Sequence, residues 1–366
     1  MKVTFPHLGN TCYAFKATFD ALGIDYVIPD FSNKKALEIG SLYSPDEICL
    51  PFKIMIGNYV QSIKKGADTI VIVGSCGPCR FGEYCELQIN ILKKLGYDLN
   101  FIVIDYPKDI GTKEFLNRIS IISKESPKKT SEKLKALSYG LKVINIIDDL
   151  EKRARLKAGY ELNKGDCKKL LTTCKKEALQ CNTSKEMINL LKSYDYKLDK
   201  IPVDKNKRPL KIAIIGEIYT IIEPFSNLYI EDKLMDYGVS TKRGLYPSWW
   251  VKNAILSPLK LNSLKIRKAS KKYLPLYIGG HGRECIGEAI LAKKHGCDGA
   301  IQIFPLGCMP EIVSKSILPT ISKDEDFPIM TLVVDEMTGE GGYVTRIEAF
   351  LDLLERRKEQ HVLYGS

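Results

Sequence analysis

The sequence predicts an α/β protein of two doubly wound halves with a mainly helical insert. Two internal echoes and one shift in composition lead to this reading. Lys2–Pro6 (KVTFP) and Lys211–Glu217 (KIAIIGE) are short β-rich runs that each open into a turn, as the first strand of a doubly wound unit does. The second echo is clearer. Gly66-Ala67-Asp68 leads into the apolar run Thr69–Val73 and a Cys/Gly/Pro loop, and Gly296-Cys297-Asp298 leads into Gly299–Phe304 and a Pro/Gly/Cys loop. Between the echoes, Gly111–Lys200 is rich in lysine and patterned like helix.

In order along the chain, residues 1–110 form the first half, with a predicted helix over Phe52–Lys65 feeding the strand Thr69–Val73. Residues 111–208 form the insert, helical at Ser131–Ser138 and Lys185–Tyr194. It closes on Ile201–Pro209 (IPVDKNKRP), whose two prolines and clustered charges predict an extended linker. Residues 209–366 form the second half: a helix over Cys285–His295, the strand Gly299–Phe304, a further strand over Met330–Val334 and an amphipathic helix over Val344–Gln360. Parallel strands with helices on both faces make each half Rossmann-like, and loops at the carboxyl ends of such strands carry ligands.

The 366 residues suffice for two such halves, and 45% hydrophobic with 27% charged residues is ordinary for a globular chain. No basic-then-apolar leader opens the sequence, and no apolar run approaches the roughly 20 residues of a spanning helix, so a cytoplasmic address without a membrane is expected. The net charge of +11 raises nucleic acid as a partner. The lysines are scattered among acids, as at Lys133 and Lys152, and no aromatic-rich basic stripe appears, so a solvated basic surface is expected instead. That charge also suits an acidic protein or an anionic coenzyme.

Eleven cysteines are an odd and high count for a cytoplasmic chain, where disulfides are disfavoured, and they direct attention to metal or redox chemistry. The strongest local signal is Ser75-Cys76-Gly77-Pro78-Cys79-Arg80-Phe81-Gly82, a CxxC in a Gly/Pro loop directly after a buried strand. Structural zinc wants a second close pair, and the chain has no other CxxC. A thioredoxin-like pair would start a helix at its first cysteine. An iron–sulfur cluster completed by thiolates from distant loops fits best.

The distant candidates are Cys49 (Cys49-Leu50-Pro51), Cys308 (Cys308-Met309-Pro310-Glu311), Cys12 in the turn after the first strand, and Cys285 after the turn Gly279-Gly280-His281-Gly282. Each has buried packing as its plain alternative. Cys167, Cys174 and Cys181 recur every seven residues; on a helix that spacing is roughly 10 Å, too long a row for one cubane, so a packing stripe is expected. Cys85 and Cys297 are expected to be structural. The Gly279–Gly282 turn before a helix can cradle an anion, with His281 and Arg283 as donors, but the pattern GxxxxGK[ST] is absent and no nucleotide hydrolysis is expected. Asp335, Glu336 and Glu340 are expected to be solvated loop acids.

At these motifs the sequence resembles the 2-hydroxyacyl-CoA dehydratase/activase-associated proteins, specifically the acyl-CoA dehydratase activase-related group. The matching stretches run in order along nearly the whole chain: Phe5–Asn10, Cys49–Lys53, Cys76–Gly82, Gly279–Gly282, Cys308–Val313 and Asp335–Glu340. The resemblance implies a cysteine-ligated [4Fe–4S] cluster, or a larger double-cubane cluster, between Rossmann-like domains. It supports Cys49, Cys76, Cys79 and Cys308 as ligands and says less of Cys12 and Cys285. It also implies electrons from an actin/Hsp70-like ATPase that carries its own [4Fe–4S] cluster. No ATPase segment is recognisable here, so ATP energy is expected from that partner, with a homo- or heterodimer possible.

Three functions follow as expectations. The first is low-potential, ATPase-driven electron transfer or small-molecule reduction in an anaerobic cytoplasm. The second is a catalytic subunit of the 2-hydroxyacyl-CoA dehydratase type. The third is a metal-stabilised binding protein without turnover.

Overall fold

The computed structural model describes residues 1–74, 79–105, 110–256 and 261–364. By contact the chain divides into two compact units: Met1–Leu150 with Thr172–Lys197 and Tyr246–Asn262, and Glu151–Leu171 with Leu198–Leu245 and Ser263–Ser366. The lysine-rich stretch 111–208 is shared between the two and is not a third body.

The first unit is built on a parallel sheet of β1 (Val3–Thr4), β2 (Thr69–Val73) and β3 (Asn100–Ile104), in that order. β1 is shorter than its β-rich run predicts. Pro6 has no N–H to give a ladder, so pairing ends before it. On the other side of β1 the chain adds a parallel bridge, Val3 to Tyr26, with Val27 N–H donating to Val3 O at 2.8 Å. The helices of this unit are α1 (Thr11–Leu22), α2 (Lys34–Tyr43), α3 (Leu50–Lys64), α4 (Tyr84–Lys94) and α5 (Thr112–Lys124).

Helix α3 is buried nearly all round, and α2 crosses it at two glycines. A Cβ at Gly40 would lie 1.7 Å from Lys53 O, and one at Gly57 would lie 1.8 Å from Ala36 O. Only hydrogen side chains permit backbones this close.

Three long helices follow, α6 (Thr130–Lys157), α7 (Asp166–Gln180) and α8 (Ser184–Lys200), and the chain passes from one unit to the other within each. Residues 201–209, expected as an extended linker, are tied to Tyr160 and Glu161. Val203 pairs with Glu161, Asp204 N–H donates to Tyr160 O at 2.8 Å, and Lys207 Nζ donates to Glu161 O at 2.7 Å.

The second unit holds β4 (Lys211–Gly216), β5 (Ser240–Arg243), β6 (Gly299–Pro305) and β7 (Ile329–Val334) in one parallel sheet ordered β5-β4-β6-β7. The Tyr26 bridge gives the first unit the same order, with its second segment outside the first strand. In both units the order reverses between the first strand and the third, at the crevice where doubly wound sheets bind ligands. The remaining helices are α9 (Ile218–Ile222), α10 (Ile230–Asp236), α11 (Pro247–Leu256, in the first unit), α12 (Leu264–Ser270), α13 (Gly282–Lys294), α14 (Met309–Asp324) and α15 (Glu340–Tyr364). The α/β class read from the sequence is the class observed. Among the described residues no helix is long and apolar enough to cross a membrane.

At the end of β5 the second unit holds a buried charge network. Arg243 donates to Glu231 at 2.5 Å, to Glu151 at 3.2 Å and to Ile221 O at 2.7 Å, and Arg155 pairs with Asp232.

Candidate functional site

A helix joining two parallel strands runs against them, so its N-terminus opens at the carboxyl edge of the sheet. That geometry selects which cysteines reach the crevices. In the first unit Cys49 is the N-cap of α3, in extended backbone at φ −67° and ψ 151°, with Pro51 in the first turn. Proline suits this place because the first helical N–H groups have no partner inside the helix. The Cys49 side chain makes no capping hydrogen bond to those N–H groups; a helix N-terminus in general favours a thiolate over a thiol.

The Cys49 sulfur is hydrogen-bonded to the hydroxyl of Tyr84, the first residue of α4, whose ring meets Phe52 edge-on at 4.9 Å. Burial, then Cys49 and more weakly Cys79, push the Tyr84 phenol well above its ordinary value. Cys49 and Cys79 therefore neighbour one hydroxyl. Cys79 lies where the loop after β2 enters a short 3-10 turn over Arg80–Glu83, and its carbonyl accepts from Gly82 N–H at 3.1 Å. Arg80 reaches Glu47 O at 3.4 Å and ties this loop to the segment before Cys49. Cys76, with Gly77 and Pro78, lies outside the described residues.

The second unit repeats the cap. Cys308 is the N-cap of α14, at φ −75° and ψ 106°, again with a proline (Pro310) in the first turn. Beside it, Glu311 is fully buried. Gln302 donates to Glu311 Oε2 at 2.7 Å and is itself held by Thr331 at 2.8 Å. Burial pushes the Glu311 carboxyl up to about 8, reinforced by Glu217 and Glu284 and opposed by bonds from Gln302 and Cys285. Cys285, on α13, faces Glu311 and neighbours Cys308, and burial raises its thiol well above 9. His281 is the N-cap of α13, after Gly279 and Gly280 at φ 90° and 51°. Burial pushes its imidazole down to about 4.

The other described cysteines are buried. Cys12 lies in the first turn of α1, buried, and donates to Gly9 O at 3.5 Å. Cys285 is fully buried in the core of the second unit with Ile286, Ala289 and Leu318. Cys167, Cys174 and Cys181 are buried. Cys85 donates to Gly82 O at 3.7 Å, and Cys297 fills the turn between α13 and β6. Asp335 caps its own loop by accepting from Met337 N–H at 2.9 Å and Thr338 Oγ1 at 2.8 Å, and Glu340 pairs with Lys233 at 2.5 Å.

The structure thus groups Cys49 with Cys79 and Cys308 with Cys285. Among the described residues no group of three or more His, Cys, Asp or Glu side chains is arranged to hold a metal ion. Soft thiols are the donor chemistry an iron–sulfur centre uses. Sequence reasoning missed Tyr84, Glu217 and Glu284. Tyr84 alone had a signal, an aromatic with a polar tip five residues beyond the CxxC.

No curated protein matches the chain. Residues 7–72, from the loop after β1 through most of β2 and including Cys12 and Cys49, match the family model described as the CoA enzyme activase uncharacterised domain, which is consistent with an acyl-CoA dehydratase activase-related family.

Proposed function

We propose that this protein carries an iron–sulfur cluster on thiolates from Cys49, Cys76, Cys79 and Cys308 and passes low-potential electrons supplied by an ATP-driven partner in an anaerobic cytoplasm. The observation that carries this reading is the recurrence of one device, a buried N-cap cysteine with proline in the first turn, at Cys49 and at Cys308. A thiol kept only for packing has no need of a helix N-terminus, whereas a thiolate gains from it. When bound, the cluster supplies a one-electron couple, tuned by N–H and O–H donors to its sulfurs. With Cys49 as a thiolate, the Tyr84 hydroxyl it is hydrogen-bonded to would be such a donor. The ATPase partner is what the resemblance to the activase-related group implies, and the match to the CoA enzyme activase uncharacterised domain supports an activator partner in general.

Iron and acid-labile sulfide counted on anaerobically purified protein test the reading. About four of each per chain are expected for one [4Fe–4S] cluster. Cys49→Ser or Cys308→Ser should lose at least half of the iron while far-UV circular dichroism stays native. Full iron in both variants, or colourless protein binding only zinc, refutes it.

A further inference from the structure

The second unit holds a basic cavity at the edge of its sheet opposite the one that carries Cys308. The cavity encloses about 330 Å³, and its lining includes Glu161, Lys164, Lys207, Arg208, Pro209 and Gly238. All of the lining belongs to this unit. Pro209 stands just before β4 and Gly238 just before β5, so the cavity lies at the amino ends of these strands. Cys308 follows β6 at the carboxyl end. The six residues of β4 set the two edges roughly 20 Å apart, so the cavity is no part of the cysteine site.

The positive charge of this cavity is uncompensated. Among the described residues Lys164 and Arg208 make no hydrogen bond or ion pair. Other cations of the unit are engaged: Lys168 pairs with Asp236 at 2.6 Å, and Lys358 with Asp298 at 3.3 Å. Lys207 donates to Glu161 O at 2.7 Å and keeps N–H donors to spare, since an ammonium has three. Glu161 is the carboxylate of the lining, and both its oxygens already accept backbone N–H groups at the start of α7. Gly165 donates at 2.5 Å and Cys167 at 2.8 Å. Lys164, Lys207 and Arg208 against Glu161 leave a net positive lining.

We propose that this cavity binds a small molecule carrying adjacent phosphate groups, with Lys164, Lys207 and Arg208 as donors. A diphosphate spreads its charge over oxygens that point in several directions, so it meets cations from two chain segments at once. A carboxylate presents only two oxygens in one plane. The volume is near the lower end of the roughly 300–1,000 Å³ of small-ligand sites, which suits such a molecule and not a polymer.

Calorimetric titration of inorganic pyrophosphate into the full-length chain tests the site. One site per chain is expected, binding pyrophosphate about tenfold or more tighter than inorganic phosphate or citrate, and weakening as salt rises. Lys164→Ala and Arg208→Ala should each weaken binding about tenfold, the loss of one charge-assisted hydrogen bond, and Arg208→Glu should abolish it. Both side chains are exposed, so unfolding midpoints should stay at the wild-type value. Lys135→Ala removes the same charge from the first unit and should bind as the wild type does. No binding at millimolar pyrophosphate, wild-type binding in Arg208→Glu, or an equal loss in Lys135→Ala overturns the site. Citrate bound as tightly as pyrophosphate overturns the phosphate class. A single-stranded oligonucleotide bound more tightly than pyrophosphate overturns the small molecule in favour of a nucleic-acid surface. Iron content enters none of these outcomes, so the site and the iron–sulfur reading stand or fall separately.

Discussion

Glu311 shows what one buried carboxyl does to the whole chain's response to pH. Its folded pKa, near 8, exceeds the ordinary 4.5 because burial penalises the charged form. Between those values the native state holds a proton that the unfolded chain has released. Stability therefore falls as pH rises through that window and levels off above it. Each pKa unit is about 1.4 kcal/mol, so the penalty at pH 8 is capped at about 5 kcal/mol. Glu311→Gln cannot ionise, and its amide can still meet Gln302 after that side chain flips. Urea unfolding of apoprotein at pH 5 and pH 8 should show the variant gaining on the wild type by about 2 kcal/mol or more over that range. An equal difference at the two pH values would mean that Glu311 is ionised when folded.

Between elements, the position of α3 decides where Cys49 stands, and two glycines decide the position of α3. Gly57→Ala puts a methyl 1.8 Å from Ala36 O, where backbone and not a flexible side chain must yield. Overpacking of this kind costs about 1–3 kcal/mol, more than the helix propensity gained by removing glycine, which is at most about 1 kcal/mol. The variant should lose about 1–2 kcal/mol in urea unfolding and bind less iron than the wild type, because the cap moves with the helix. Wild-type stability with wild-type iron would show that α2 and α3 are free to part.

Neither glycine has a signal in the sequence. Gly40 and Gly57 matter only because another backbone lies against them, and local pattern does not carry that information. The echoed strands were legible for the opposite reason: Thr69–Val73 and Gly299–Phe304 are apolar runs bounded by turns, and such runs declare themselves locally. The turns before α3 and α14 were legible too, through Cys-x-Pro. What neighbours those thiols was not, since Tyr84 lies 35 residues from Cys49.

For the whole molecule, the path of the chain matters more than its boundaries in sequence. The second unit takes Glu151–Leu171 from the middle of the predicted insert, so residues 209–366 alone are not that unit. Such a fragment would keep Arg243, whose side chain is 3% exposed in the intact chain, but lose Glu151, and keep Asp232 but lose Arg155. It would also lose the Ser240 Oγ bond to Leu156 O, 2.7 Å in the intact chain, and the packing of Gly159 against Pro209 and Ser240. Arg243 keeps Glu231 and Ile221 O, so the loss is one of its two carboxylates together with the Ser240 bond and the Gly159 packing. Each such buried contact is worth about 1–3 kcal/mol, and a domain has only about 5–15 kcal/mol in hand. Fragment 209–366 should therefore lack near-UV circular dichroism and a cooperative urea transition, whereas a fragment beginning at Glu151 should recover part of both. If 209–366 alone unfolds cooperatively at the midpoint of the intact chain, the network around Arg243 contributes little, and the halves read from sequence are folding units after all.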